Sequence, residues 1–107
     1  MALLKGTLDV LVLKALSWGP MHGFEITSWL EARSGGYLDV DDGALFQAFH
    51  RMEERGLIVA EWGVTENNRR ARYYRLTTTG RAHLRTELAE LTRYAAALTS
   101  ILGAKKA

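Results

Sequence analysis

The 107-residue sequence contains no cysteine, only one proline and no long hydrophobic run. Without cysteine the chain cannot form a disulfide framework, an iron–sulfur cluster or a thiolate zinc site. Its three histidines, His22, His50 and His83, are too scattered for metal-ligand spacing, so neither a metal site nor a cofactor is predicted. Because no activated nucleophile or phosphate-binding loop is recognisable, the sequence does not indicate an enzyme.

The lack of a long apolar run also bears on location. Asp9 and Lys14 interrupt the first apolar stretch, whereas a secretory signal needs an uninterrupted apolar core and a membrane span needs about 20 apolar residues. We therefore expect a cytoplasmic protein with no membrane contact. The length predicts one domain, and because a domain of roughly 100 residues buries only about two-thirds of its unfolded surface, its core is thin.

Apolar residues at helical spacing predict three helices in the first half of the chain. The first has Thr7 as its expected N-cap and ends before Gly19-Pro20. The second is expected over about residues 22–33 and the third over about residues 43–55. Gly35-Gly36 ends the second helix and a short extended piece over residues 37–40 follows. An aspartate at position 41 or 42 is suited to cap the third helix.

The second half of the chain predicts a hairpin and a long helix. Residues 57–62 and 71–77 have the composition of two strands, and the polar stretch between them forms the turn. The order of three helices followed by a hairpin is that of a winged helix-turn-helix, a mainly helical α+β fold. We assign residues 1–77 to this domain, residues 78–103 to a C-terminal dimerisation helix and residues 104–107 to a disordered tail.

The last helix carries apolar residues at spacings of 4, 3, 4, 3 and 4, which is a heptad pattern. These residues are Leu84, Leu88, Leu91, Ala95, Leu98 and Leu102. The stripe can pack on its own domain or on a second chain. Because the three short helices already share the small core, the pattern favours a partner, and we predict a homodimer.

Charge is distributed unevenly behind the small net charge of +2. Residues 1–45 hold three basic and six acidic side chains, whereas residues 46–107 hold eleven basic and six acidic ones. No acid occurs in residues 67–86, which contain six arginines. Four of them lie on the predicted hairpin, which is the wing of this fold: Arg69, Arg70, Arg72 and Arg75. Their guanidinium groups suit phosphate or a guanine edge, and Arg69, Arg70 and Arg72 are the candidates for contact with DNA. The alternative is a hairpin whose charges only keep its edge soluble.

The third helix supplies a second feature next to this wing. Phe46, Gln47, His50 and Arg51 lie mostly off its apolar stripe, and a helix of this kind enters the major groove of DNA with its N-terminal residues facing the bases. Each residue taken alone is more simply an ordinary surface residue, and Phe46 could pack at the core edge. Taken together with the arginine wing, they predict contact with double-stranded DNA.

Almost the whole chain resembles the PadR-type transcriptional regulators, on a specific combination of motifs. The matching runs are residues 6–13 (GTLDVLVL), 19–26 (GPMHGFEI), 43–58 (GALFQAFHRMEERGLI), 62–63 (WG) and 69–77 (RRARYYRLT), followed by Gly80. The resemblance implies a dimeric repressor of a near-palindromic operator, from the short branch with one C-terminal helix. Where this family has a tyrosine whose hydroxyl commonly reaches the DNA backbone, this chain has Phe46, which cannot donate that bond.

Two further expectations concern ligands and partners. Trp62 is most simply a core or interface residue, and it is also our candidate for lining an effector pocket, although the sequence does not establish that an effector exists. A drug site between tryptophans of the long helix is not expected, because residues 88–92 (LAELT) contain none. The alternative to a DNA-binding regulator is a winged helix that docks onto another protein, since the core pattern would be the same.

Overall fold

The computed structural model describes residues 6–106 and has the predicted α+β, mainly helical architecture. Four helices surround a small three-stranded antiparallel sheet whose strand order is β1-β3-β2. The elements are α1 (Thr7–Leu16), β1 (Met21–His22), α2 (Gly23–Arg33), α3 (Asp42–Glu54), β2 (Ile58–Val64), β3 (Arg70–Leu76) and α4 (Thr78–Leu102). The order of helices and hairpin therefore agrees with the sequence pattern, and it forms a winged helix-turn-helix.

The helix starts differ in how they are capped. The expected cap at Thr7 is wrong, because α1 begins at Thr7 and its cap is Gly6, which has φ 86° and gives no side-chain bond. For α2 the cap is His22, whose Nδ1 accepts from the backbone N–H of Glu25 at 3.3 Å while the Glu25 carboxylate accepts from the His22 N–H at 3.1 Å. Asp41 caps α3, accepting from the N–H of Ala44 at 3.1 Å.

The hairpin has the predicted position, and a strand that was not predicted joins it. β2 and β3 pair from Ile58 opposite Leu76 out to Val64 opposite Arg70. On the other side of β3, Met21 pairs with Tyr74 and His22 with Tyr73. A two-residue strand is too short to show an alternating pattern, so β1 could not be found from sequence. It ties the start of α2 to the wing.

The core lies between the three short helices and the base of the hairpin. Side chains from every helix and from β2 and β3 meet there, and α3 contributes one face to it. The α3 residues are Leu45, Ala48, Phe49 and Met52. Phe49 stacks on Tyr74 of β3 with ring centroids 3.9 Å apart. Burial of this apolar face sets which side of α3 remains exposed to solvent.

A close backbone contact joins the start of α4 to the start of the hairpin. The Thr77 hydroxyl accepts from the Gly80 N–H at 2.9 Å and donates to the carbonyl oxygen of Gly56 at 2.6 Å. The Thr77 N–H also donates to the Leu57 carbonyl at 3.1 Å. A Cβ at Gly80 would overlap that Leu57 oxygen and lie 2.9 Å from its carbonyl carbon. Only glycine permits the helix to pass this closely.

The long helix divides into a half that packs on its own domain and a half that does not. Leu84 is only 7% exposed and packs within the chain's own core; its role at a dimer interface stays a prediction. Leu88 and Leu91 are half-buried against the same core. Every residue from 92 to 106 is exposed, and the molecule is 60 Å long as a result. None of the helices within residues 6–106 combines the length and apolarity needed to span a bilayer.

The contact at Gly80 gives a direct test of this packing. Alanine is the better helix former by about 1 kcal/mol, so Gly80→Ala would stabilise α4 if the site were open. Because backbone atoms lie in the way, we instead expect a loss of about 1–3 kcal/mol in the free energy of unfolding, measured by urea denaturation. Thr79→Ala, one residue earlier and exposed, is the matched control and should be neutral or stabilising. A Gly80→Ala variant as stable as wild type would contradict the contact.

Candidate nucleic-acid interface

The exposed face of α3 is a stripe directly opposite its buried face. Phe46, Gln47, His50 and Glu54 follow one another at helical spacing and are all exposed. Phe46 is 65% exposed, with only its ring edge against Phe49 at 6.3 Å between centroids. His50 Nε2 lies 3.2 Å from the Glu54 carboxylate one turn later. The stripe thus presents an aromatic ring, an amide and an imidazole to solvent.

Arg51, predicted beside these residues, is turned toward α1. Its Nη2 donates to Oδ1 of Asp9 at 2.6 Å, which ties α3 to α1. This hydrogen bond raises the pKa of the Arg51 guanidinium above its ordinary value. The side chain is still 51% exposed, so part of its guanidinium remains accessible.

Arg72 makes the corresponding contact on the other side of α3. Its Nη2 donates to Oε2 of Glu53 at 3.1 Å, which ties the helix to β3. Arg72 also lies over the ring of Tyr74, at 5.7 Å from the centroid, and burial raises the pKa of the Tyr74 phenol. Arg51 pairs with Asp9 of α1 and Glu53 pairs with Arg72 of the wing, so one ion pair flanks α3 on each side.

The other wing arginines differ in their surroundings. Arg70 and Arg72 share the sheet face that Glu53 contacts, whereas Arg75 has the opposite parity on β3 and lies on the other face. The Arg70 guanidinium lies over Trp62 at 4.6 Å from the ring centroid. Arg69 is exposed in the turn, where its backbone closes the loop with Thr65. Within residues 6–106, the three wing arginines therefore differ in their partners: Arg70 is stacked on Trp62, Arg72 is ion-paired with Glu53, and the Arg69 side chain has neither kind of contact.

Trp62 is 63% exposed on the outer part of β2, where its ring faces Arg70. Its role in an effector pocket stays a prediction. Within residues 6–106, no cluster of three or more histidine, aspartate or glutamate side chains is placed to hold a metal ion.

Sequence reasoning missed the two carboxylates that hold the predicted arginines. Asp9 lies 42 positions before Arg51, and Glu53 lies 19 positions before Arg72. No local spacing relates such residues, because the packing of α1 and the wing against α3 brings them together. The excess of acid in residues 1–45 was the only hint that a cation in the second half would find a partner in the first.

A winged helix-turn-helix with an exposed third helix and a cationic wing defines a class of regulators, and sequence comparison identifies the family. Residues 12–86 match the model of the transcriptional regulator PadR-like family. Because this match covers most of the chain, the protein belongs to the PadR-like family of transcriptional regulators. The resemblance noted from its motifs is therefore confirmed.

Solved structures share this fold. A transcriptional regulator from Clostridium thermocellum is 25% identical with a TM-score of 0.78, and the match covers 90% of both chains. A PadR-like regulator from Bacillus cereus is 20% identical with a TM-score of 0.79 over 94% of this chain and 96% of its own. PadR from Bacillus subtilis, solved in complex with operator DNA, is 21% identical with a TM-score of 0.67, over 76% of this chain and 46% of that one.

The ion pair between Arg51 and Asp9 can be measured by a double-mutant cycle. Combining Arg51→Met with Asp9→Asn should reveal a coupling of about 0.5–1 kcal/mol in the free energy of unfolding, as expected for a partly exposed pair. The coupling should shrink in high salt, because exposed charges are screened. Arg51→Met with Asp39→Asn serves as the control, since Asp39 lies outside this pair. Equal coupling in the two cycles would contradict the contact.

Proposed function

We propose that this regulator is a sequence-specific DNA-binding repressor that acts as a homodimer on a near-palindromic operator. The observation that carries the proposal is the ion pair between Glu53 of α3 and Arg72 of the wing. This pair joins the exposed stripe of α3 to the cationic face of β3 in one continuous surface. The operator complex of the Bacillus subtilis relative supports the same use of the fold here.

In this proposal α3 lies in the major groove and supplies sequence recognition. The Gln47 amide has the donor and acceptor geometry to pair with adenine, and the Phe46 ring suits a thymine methyl group. His50 adds a polar group one turn further along the helix. Phe46 lacks a hydroxyl, so a backbone hydrogen bond from this position is not part of the mechanism.

The arginines on either side of α3 supply affinity and register. Arg51 is 51% exposed and Arg72 is 49% exposed, and a guanidinium has five N–H donors. Each can therefore keep its carboxylate and still donate to a phosphate. Arg69 and Arg70 at the end of the wing reach the flanking backbone. Such contacts position the protein but carry little sequence information.

The homodimer rests on the outer half of α4. Leu98 is 38% exposed, and Ile101 and Leu102 are 70% and 81% exposed, although all three are large apolar side chains. Tyr94 is 51% exposed one turn before Leu98. Burying these side chains against a second copy would remove them from water, and Leu88, Leu91 and Ala95 extend the stripe toward the domain. With Leu84 in the core, the interface begins after it.

A two-fold dimer would place the two α3 helices in successive major grooves, about one helical turn of DNA apart. Any input that changes the angle between the two α4 helices would then change the distance between the two α3 helices, so that they no longer match the two half-sites and the operator is released. An effector that binds between the subunits is one such input.

The DNA proposal is tested by fluorescence anisotropy with the DNA upstream of the protein's own gene and with mixed-sequence duplex. Gln47→Ala should reduce the preference for the specific site by about 1–3 kcal/mol and leave the salt dependence unchanged. Arg69→Ala combined with Arg70→Ala should weaken binding to both duplexes and lower the salt slope by about one for each phosphate that the variant no longer neutralises.

The opposite wing face provides the control for this experiment. Arg75→Ala, on the other side of β3, should weaken DNA binding and lower the salt slope less than the combined Arg69→Ala and Arg70→Ala variant does. An unchanged salt slope in the Arg69 and Arg70 variant would contradict the wing assignment. Wild-type binding no tighter to the upstream DNA than to mixed sequence would contradict sequence-specific recognition of that region.

The dimer is tested by placing a charge in the outer apolar stripe. Leu98→Glu should give monomers by analytical ultracentrifugation, because two carboxylates would have to be buried near the dimer axis. Leu98 is preferable to Leu91, which also packs on its own core. Ser100→Glu, on the opposite side of α4, is the matched control and should remain dimeric. Leu98→Glu dimers that persist at micromolar concentration would exclude this interface.

A further inference from the structure

Trp62 is a large aromatic side chain that the hairpin does not use for packing. The sheet face on which Trp62 lies is buried at Tyr74 and partly buried at Ala60, but Trp62 lies two residue pairs further out and is 63% exposed. The outer hairpin is packed from the opposite face, where the Tyr73 ring covers Gly63 so closely that a Cβ there would come within 2.8 Å of it. Trp62 is therefore not required to hold the two strands together.

The position of Arg70 shows what the indole ring contacts instead. In the strand register Trp62 is opposite Arg72, and Arg70 is opposite Val64, two residue pairs further from the domain. The Arg70 guanidinium reaches back diagonally to lie 4.6 Å from the centre of the Trp62 ring, within the range of a cation–π interaction. Within residues 6–106, no other cation is placed over this ring.

An aromatic ring and a carboxylate hold a guanidinium in different ways. A carboxylate uses N–H donors and offsets the charge, as Glu53 does for Arg72 and Asp9 for Arg51. An aromatic ring contacts the flat face of the guanidinium, so the donors around its edge and its full charge stay available. Within residues 6–106, Arg70 is thus the wing arginine that is held by an aromatic ring and not by a carboxylate, whereas Arg72 uses one of its donors on Glu53.

We infer that Trp62 is a positioning residue that holds the Arg70 guanidinium over its ring, with its donors directed outward for a DNA phosphate. The inference rests on the proposed function, because it assumes that the wing contacts DNA. It assigns Trp62 a role in the wing surface of this chain rather than in an enclosed effector cavity. Arg69 contacts no ring, so its contribution does not depend on Trp62.

A double-mutant cycle on DNA affinity tests the dependence of Arg70 on Trp62. The probe is a mixed-sequence duplex of about 30 base pairs, roughly three helical turns, titrated at several salt concentrations. Trp62→Ala should weaken binding about 2- to 5-fold, as expected for an exposed cation–π contact, with an unchanged salt slope. Arg70→Ala should lower the slope by about 0.9, the value for one phosphate. Adding Trp62→Ala to Arg70→Ala should cause no further loss.

Conservative variants and a neighbouring arginine separate positioning from a general structural role. Trp62→Tyr keeps an aromatic face and should retain near-wild-type affinity, whereas Trp62→Leu should behave like Trp62→Ala. In the control cycle, the effects of Trp62→Ala and Arg69→Ala should multiply. Urea midpoints establish that each variant is folded.

The possible results distinguish failure of the positioning role from failure of the proposed DNA binding on which it rests. If the effects of Trp62→Ala and Arg70→Ala multiply, or if Trp62→Leu binds as well as Trp62→Tyr, the positioning role is overturned while DNA binding stands. An Arg70→Ala variant with wild-type affinity and slope overturns it equally. Failure of the wild-type protein to bind any duplex would instead overturn the proposed function.

Discussion

The contact between Gly80 and the Leu57 carbonyl is the constraint on which the rest of the molecule depends. Leu57 lies between the end of α3 and the start of β2, and Gly80 lies in the first turn of α4, just after the end of β3. This one contact therefore sets the relative positions of all four elements. Thr77 completes it by hydrogen bonding to Gly56, Leu57 and Gly80. Because the contact involves backbone rather than flexible side chains, it leaves little freedom in the direction of α4. In the proposed dimer, that direction determines the separation of the two DNA-binding surfaces.

The third helix is held on three sides, and this leaves one side exposed, the side that we propose contacts DNA. Its apolar residues pack in the core, Arg51 is paired with Asp9 of α1, and Glu53 is paired with Arg72 of the wing. Partly exposed ion pairs add little free energy, but two of them on opposite flanks oppose rotation of the helix about its axis. The side that remains carries Phe46, Gln47 and His50. The position of the exposed stripe is thus a consequence of the contacts made by the other three sides.

The long helix lies in two different environments, although a single heptad pattern runs along it. Leu84 is buried in the core, Leu88 and Leu91 are half-buried at its edge, and Leu98 and Leu102 lie beyond the domain. A small domain cannot cover a helix of 25 residues, which is about 37 Å long. The outer half therefore presents apolar side chains that the rest of residues 6–106 leaves exposed. This division is the basis of the proposed homodimer.

By itself the sequence determined the helices, the hairpin and the family, since periodicity, strand composition and five motif runs are local properties. Only the tertiary structure decided the burial and the partners of individual side chains, because contacts such as Arg51 with Asp9 join residues far apart in the chain. It placed Leu84 in the core, revealed β1 through its pairing with β3, and set Arg75 on the face opposite Arg70. Composition identified six arginines as one cationic stretch; strand parity and packing against α3 distinguished the ion-paired from the stacked and the exposed ones.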